Sequence, residues 1–160
     1  MLYCPPLYDG VVNIDKNVKY VGYRAFEKCG FLSGVNVDED NLFYSSDNGV
    51  LMNKNKSWLI SYPSRQEGRC VISPNIERIF PLAFSCSSIG ELVFLKREKS
   101  IYISSFTFDE HGSLKKVIFE DEICVPTQCL RFLNIHYFLR DFSTQKFHEN
   151  LCNFLRVYAL

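Results

Sequence analysis

The residues best suited to binding a metal lie towards the C-terminus: Cys124, Cys129, His148 and Cys152. His148 and Cys152 are four residues apart, so a helix would carry them on one face. Cys124 and Cys129 could complete a four-ligand N/S set of the kind zinc takes. Against this, zinc modules usually space their cysteines by two to four residues, and Cys152 fits equally well beside an apolar helical face. Cys124 and Cys129 read equally well as packing residues. The balance is no resident metal and no other cofactor, with these four as the residues that would hold zinc if it were bound.

Nucleophilic catalysis has less support. Cys29 and Cys86 fall at one position of a repeat described below, and His111 falls in the same slot. A residue repeated for packing is a poor candidate nucleophile, and His136 has no motif around it. The sequence contains no Gly-rich phosphate loop, no HExxH and no GxSxG. The chain therefore reads as a non-enzyme. Asn55-Lys56-Ser57 is an N-glycosylation sequon at a polar turn, which makes Asn55 a candidate modification site.

The elements that must position these residues are those of a globular chain. Of 160 residues, 47% are hydrophobic and 15% aromatic, enough for one domain with a real core. The 18 basic and 18 acidic residues cancel, so no charge excess points to nucleic acid or an anionic membrane. No apolar run approaches the roughly 18 residues of a membrane span. The opening "MLYCPPLYDG" lacks the basic and apolar regions of a signal peptide. The 7 cysteines form no CxxC and make a poor disulfide framework, so they read as reduced, mostly buried small hydrophobes.

The organising feature is a repeat. A shift of 58 positions places Pro5 on Pro63, Gly10 on Gly68, Ile14 on Ile72, Val21 on Ile79, Ala25 on Ala83 and Phe26 on Phe84. One residue is then missing, and Cys29 falls on Cys86, Leu32 on Ile89, Val35 on Leu92 and Val37 on Phe94. A further copy, 24 positions on, has Thr107-Phe108, Leu114, Val117 and Phe119, and Ile123 to Leu130 resembles a degenerate fourth. The unit is thus about 23 to 24 residues, each reading as a short strand, a tight turn with Ala-Phe packed inward, and a second short strand. One such unit cannot close a core, whereas stacked copies form continuous interior columns. Between the first two copies, residues 38–69 read as an inserted β-hairpin. Asn48-Gly49 and the polar tip "NKNKS" supply turn chemistry around Val50 to Met52 and Trp58 to Ile60.

The segments "NVKYVGYRAFEKCGFLSGVNV", "NIERIFPLAFSCSSIGELVF" and the "GVL…LISYP" insertion resemble the BspA-like leucine-rich repeat family across residues 1–122. The resemblance implies a right-handed leucine-rich-repeat solenoid, non-catalytic, and often a cell-surface or secreted protein that binds host or matrix protein in adhesion. The third copy departs from the pattern in lacking the Ala and Cys.

Met1-Leu2 falls on Leu59-Ile60, so the chain starts inside a unit. It is expected to be a fragment or a truncated array, with self-association through the uncapped N-terminal end. Within residues 123–160, Phe147, Leu151, Phe154, Leu155 and Tyr158 share one helical face behind Ser143 as N-cap, which predicts a helical C-terminal cap. A partner-binding helix is the alternative.

If Val35, Val37, Leu92, Phe94, Val117 and Phe119 point inward, their neighbours point outward. The expected protein-binding surface is then Asn36, Glu91, Val93, Leu95, Lys116, Ile118 and Glu120, with Val93, Leu95 and Ile118 as a small exposed apolar patch. Taken together, the sequence predicts a mainly β solenoid with short helical turns, one hairpin insertion and a helical cap. Its work would be protein binding of adhesion or surface-antigen type. An intracellular interaction scaffold or a truncated, non-functional copy is the alternative, and a small zinc-binding protein a further one.

Overall fold

The computed structural model describes residues 4–5, 8–22, 24–99, 101–104, 106–108, 113–120 and 136–139. They contain the strands Gly10–Ile14 (β1), Leu32–Val37 (β2), Tyr44–Asp47 (β3), Val50–Asn53 (β4), Trp58–Ser61 (β5) and Glu67–Ile72 (β6). Arg78–Ile79 (β7), Ser88–Phe94 (β8), Tyr102–Ile103 (β9), Lys116–Phe119 (β10) and His136–Leu139 (β11) follow. The chain winds as a β-solenoid of about five turns. Each coil runs from a main-sheet strand through a turn to a short strand on the opposite face, then through the Ala-Phe turn to the next main-sheet strand.

Coils wound in one sense must stack their strands in parallel, and they do. The main sheet is β1-β2, then a break, then β6-β8-β10-β11. Cys70, Leu92 and Val117 lie side by side in register, and all three are buried. The opposite sheet is β3-β4-β5-β7-β9, antiparallel as far as β5 and parallel from there on. Leu59, Ile79 and Ile103 form its buried column. The insertion is therefore a three-stranded meander, whose last strand replaces the short strand of a coil. The expected hairpin is its β4–β5 half. The strand β3 was not foreseen, because "YSSD" is polar and its only signal is the Asn48-Gly49 turn after it.

The 58-residue shift is written into the backbone. Cys4 N donates to Ala25 O at 2.8 Å, and Tyr62 N donates to Ala83 O at 2.8 Å. The register slips at Gly10/Val11 in one copy and at Gly68/Arg69 in the other. The backbone places Cys86 in a different slot from Cys29. Arg24 and Leu82 have positive φ, and so do Lys28 and Cys86. Cys86 therefore matches Lys28, and the buried Cys29 matches the buried Ser87. Cys29 N and Ser87 N accordingly donate to Phe26 O and Phe84 O, at 3.3 and 3.0 Å. The cysteines occupy different slots, and the missing residue falls after the turn.

No helix occurs among the described residues. The Ala-Phe segments, expected as short helical turns, are runs of separate i→i+3 turns, such as Ala25 N to Gly22 O, Glu27 N to Arg24 O and Cys29 N to Phe26 O. Their left-handed residues on either side of Ala-Phe stop a right-handed helix from propagating. The helical cap expected within 123–160 lies outside the described residues, except that His136–Leu139 adds a further parallel strand to the main sheet.

The insertion divides the core in two. One cluster holds Ile14, Ala25, Phe26, Cys29, Leu32, Val35 and Leu51; the larger one is centred on Phe84, which packs against Tyr62 and Phe108 at 5.2 and 5.6 Å. At the seam, Val35 N donates to Gly49 O at 2.9 Å. Asn48 and Gly49 are both left-handed (φ 48° and 78°), as the two-residue β3–β4 turn requires. A Cβ on Gly49 would lie 3.0 Å from the Gly34 Cα, so the two glycines meet backbone to backbone.

Asn41, fully buried, anchors the insertion. Its Nδ2 donates to Asp15 O and Val18 O at 2.9 Å, and its Oδ1 accepts from Phe43 N and Tyr44 N at 2.8 Å. Arg97 does the corresponding job in the next copy, where its Nη1 donates to Ile76 O at 2.8 Å. Among the described residues its buried Nε and Nη2 have no hydrogen-bond partner.

Candidate protein-binding faces

On the main sheet, Arg69, Glu91 and Lys116 align in register on the outward side of β6, β8 and β10. The Glu91 carboxylate takes both cations, Arg69 Nε at 3.1 Å and Lys116 Nζ at 3.2 Å. The next outward row is Val71, Val93 and Ile118. Val93 is 0% and Ile118 5% exposed, whereas Val71, on the outermost strand, is 49% exposed. The exposed apolar patch expected of Val93, Leu95 and Ile118 therefore does not form. Val93 is flanked in register by Val71 and Ile118, and Ile118 lies on a strand between β8 and β11. Leu95 and Glu120 are half-buried beyond the strand ends. Asn36 is exposed, but it pairs with Asn13 in the β1–β2 sheet, away from the Val93–Ile118 row it was expected to join.

The opposite face has a different chemistry. Trp58, Arg78 and Tyr102 are neighbours in register on β5, β7 and β9. The Arg78 guanidinium carbon sits 5.4 Å from the Trp58 ring centroid and 5.2 Å from that of Tyr102. Trp58 also packs against Phe80 at 5.7 Å. Trp58 remains 39% exposed and Tyr102 57%. Beside this ladder, a cleft of about 380 Å³ opens between the first coil and the insertion, lined by Tyr20, Phe43, Tyr44, Trp58, Ile60 and Phe80 among others. Other coils are joined at the corner by backbone bonds such as Leu82 N to Phe106 O, 2.9 Å. Here Val21 N instead donates to the Tyr44 hydroxyl at 2.9 Å, which ties the insertion to the coil across the cleft.

This face was not foreseen from the sequence. A signal was present, since Tyr102 follows Arg78 by 24 residues, one repeat length. The partner Trp58 comes from the insertion, which breaks the period.

Asn55 is exposed at the β4–β5 turn, with its Oδ1 accepting from the Ser57 hydroxyl at 2.8 Å. Cys124, Cys129, His148 and Cys152 lie outside the described residues, and among those described no group of three or more His, Cys, Asp or Glu is placed to hold a metal. Cys4, Cys29, Cys70 and Cys86 are free. Burial raises the Cys29 thiol pKa and, despite a hydrogen bond from Tyr62, pushes that of Cys70 from 9.0 up to about 11. Both are protonated packing groups at neutral pH, the opposite of an activated nucleophile.

No family model matches the chain, and no characterised protein matches it in sequence. Solved structures do match. The pneumococcal vaccine antigen PcpA superposes with a TM-score of 0.60 and 25% identity, over 68% of this chain and 27% of that one. A leucine-rich repeat protein from Eubacterium ventriosum superposes with a TM-score of 0.53 and 21% identity, over 72% of this chain and 37% of that one. This chain thus spans well under half the length of either, and its fold is a β-solenoid of the leucine-rich-repeat kind.

Proposed function

We propose that this chain is a non-catalytic protein-binding module of the BspA-like type, a right-handed solenoid working in adhesion or as a surface antigen, with a host or matrix protein as ligand. The observation that carries the reading is the exposed Trp58–Arg78–Tyr102 ladder on a stacked, cross-braced frame. A solenoid of this kind holds side chains in fixed rows at little entropic cost to binding. The likeness to a pneumococcal vaccine antigen supports the surface role. The test is biolayer interferometry of the immobilised chain against a panel of purified matrix and serum proteins. Saturable binding by the folded chain and none by the denatured chain supports the reading; equal signals from both sink it.

The chain is also proposed to self-associate through β1. Among the described residues β1 pairs with β2 alone, which leaves its other edge open to a strand from a second copy. The Tyr8 hydroxyl, which donates to Val11 O at 2.9 Å, partly shields that edge. Sedimentation velocity should show more dimer for Tyr8→Phe than for the parent chain, and identical profiles would count against this edge. An intracellular scaffold is the second reading, favoured by the buried free thiols Cys4, Cys29 and Cys70. Thiol titration of the chain isolated from its native source and denatured under acid separates the two readings.

A further inference from the structure

We propose that the face built on β5, β7 and β9, rather than the main sheet, is the docking surface, and that it takes an acidic protein segment whose carboxylate is gripped by Arg78 between Trp58 and Tyr102. The inference rests on the binding-module reading and adds the place and the chemistry of the partner.

The register neighbours of Arg78, Trp58 and Tyr102, stand on the two flanking strands, with the guanidinium carbon 5.4 and 5.2 Å from their ring centroids. Among the described residues no carboxylate pairs with it and no carbonyl accepts from its side chain, although the residue is exposed. Adjacent Glu77, the acid closest in sequence, is engaged by Lys99 at 2.9 Å. A guanidinium held by cation–π attraction to two neighbouring rings gives up part of its rotamer freedom before binding and keeps its N–H groups for a partner. The group that matches them is a carboxylate, which can accept two parallel N–H bonds.

The surroundings indicate a protein carboxylate rather than a small anion. Trp58, Tyr102 and Phe80 offer apolar area on both sides of the charge. Tryptophan, tyrosine and arginine are the side chains that dominate binding energy in protein interfaces. The main sheet offers the reverse arrangement. Its cations Arg69 and Lys116 are already closed on Glu91, and two of its three outward apolar side chains are buried. A partner there would have to break existing pairs and would find little apolar surface to cover.

The test is selection of a phage-displayed random peptide library on the intact chain, followed by affinity measurement of the recovered clones on Arg78→Gln, Arg78→Lys and Glu91→Gln variants. Arg78 is exposed, so its variants should unfold at the parent temperature. The expected result is clones enriched in Asp or Glu next to apolar residues, binding Arg78→Gln about tenfold or more weakly and Glu91→Gln unchanged. Arg78→Lys should recover only part of the loss, because it keeps the charge without the fork. Clones without acidic enrichment, or clones that bind Arg78→Gln as well as the parent, overturn the inference. Clones weakened by Glu91→Gln alone would move the site to the main sheet and leave the binding-module reading standing. Recovery of no clones at all would remove both.

Discussion

The two long faces of this solenoid are built by the same rule and differ in what they leave unfinished. On the main sheet the row Arg69–Glu91–Lys116 closes on itself, and the Val71–Val93–Ile118 row is buried except at its outer strand. On the opposite face the row Trp58–Arg78–Tyr102 presents exposed rings around a cation that no carboxylate pairs among the described residues. Parallel stacking puts equivalent positions in line on both sides, so strand geometry alone does not distinguish them. The distinction lies in compensation. A face whose charges are already paired stabilises the coil stack, and a face whose groups are rigid but unpaired has binding energy still to gain.

The strongest way to break this contrast is to remove what both faces share. Phe84 is fully buried between Tyr62 and Phe108. Phe84→Ala is expected to cost about 3–5 kcal/mol in denaturant unfolding and to abolish ligand binding. A loss below about 1 kcal/mol would mean that the two sheets do not share one core.

Asn41 should separate the faces. Asn41→Leu strands two carbonyls and two backbone N–H groups beneath the insertion that supplies Trp58, at a cost of about 2–4 kcal/mol. Hydrogen exchange should quicken in β3 to β5 before it does in β8 and β10. Its counterpart Arg97 has two buried side-chain nitrogens without a hydrogen-bond partner among the described residues, so Arg97→Asn is expected to be neutral or stabilising within about 1 kcal/mol. A large loss at Arg97 and none at Asn41 would reverse their assigned roles.

The alkaline limb comes next. Cys70, beneath the main sheet, has its thiol pKa raised from 9.0 to about 11, so the folded state holds that proton more tightly than the unfolded chain. The contribution is complete below pH 9 and is lost as pH rises through about 11, on the order of 2 kcal/mol. Cys70→Ala should flatten this limb in part, since Cys29 and Tyr62 shift in the same direction. An unchanged slope would exclude Cys70 as a contributor. The smallest effect is expected at the paired surface charges, where Glu91→Gln should alter stability by no more than about 1 kcal/mol.

How much of this was legible in sequence follows from where period and chemistry coincide. The coil stack was, because Ala25/Ala83, Phe26/Phe84, Leu32/Ile89 and Val35/Leu92 preserve residue type and spacing together. The slot of Cys86 is not legible, since one deleted residue can be placed on either side of a turn until φ decides it. Gly34, Asn41 and Gly49 act through backbone contacts that a self-alignment does not weigh. Alternation places the expected contact surface on the main sheet because it gives direction but not depth: Val93 points outward and is still buried. The opposite face joins an insertion residue to two repeat residues, a juxtaposition that exists only once β5 pairs with β7.

The most direct test uses a single side chain. Trp58 is the chain's one tryptophan, and it forms one wall of the proposed grip on Arg78. Acrylamide quenching of its fluorescence, measured for the free chain and for the chain saturated with a selected acidic peptide, reads occupancy of that face alone. A clear fall in the quenching constant on saturation is the expected result. An unchanged constant while the peptide is demonstrably bound would place the partner elsewhere and contradict the assignment of this face.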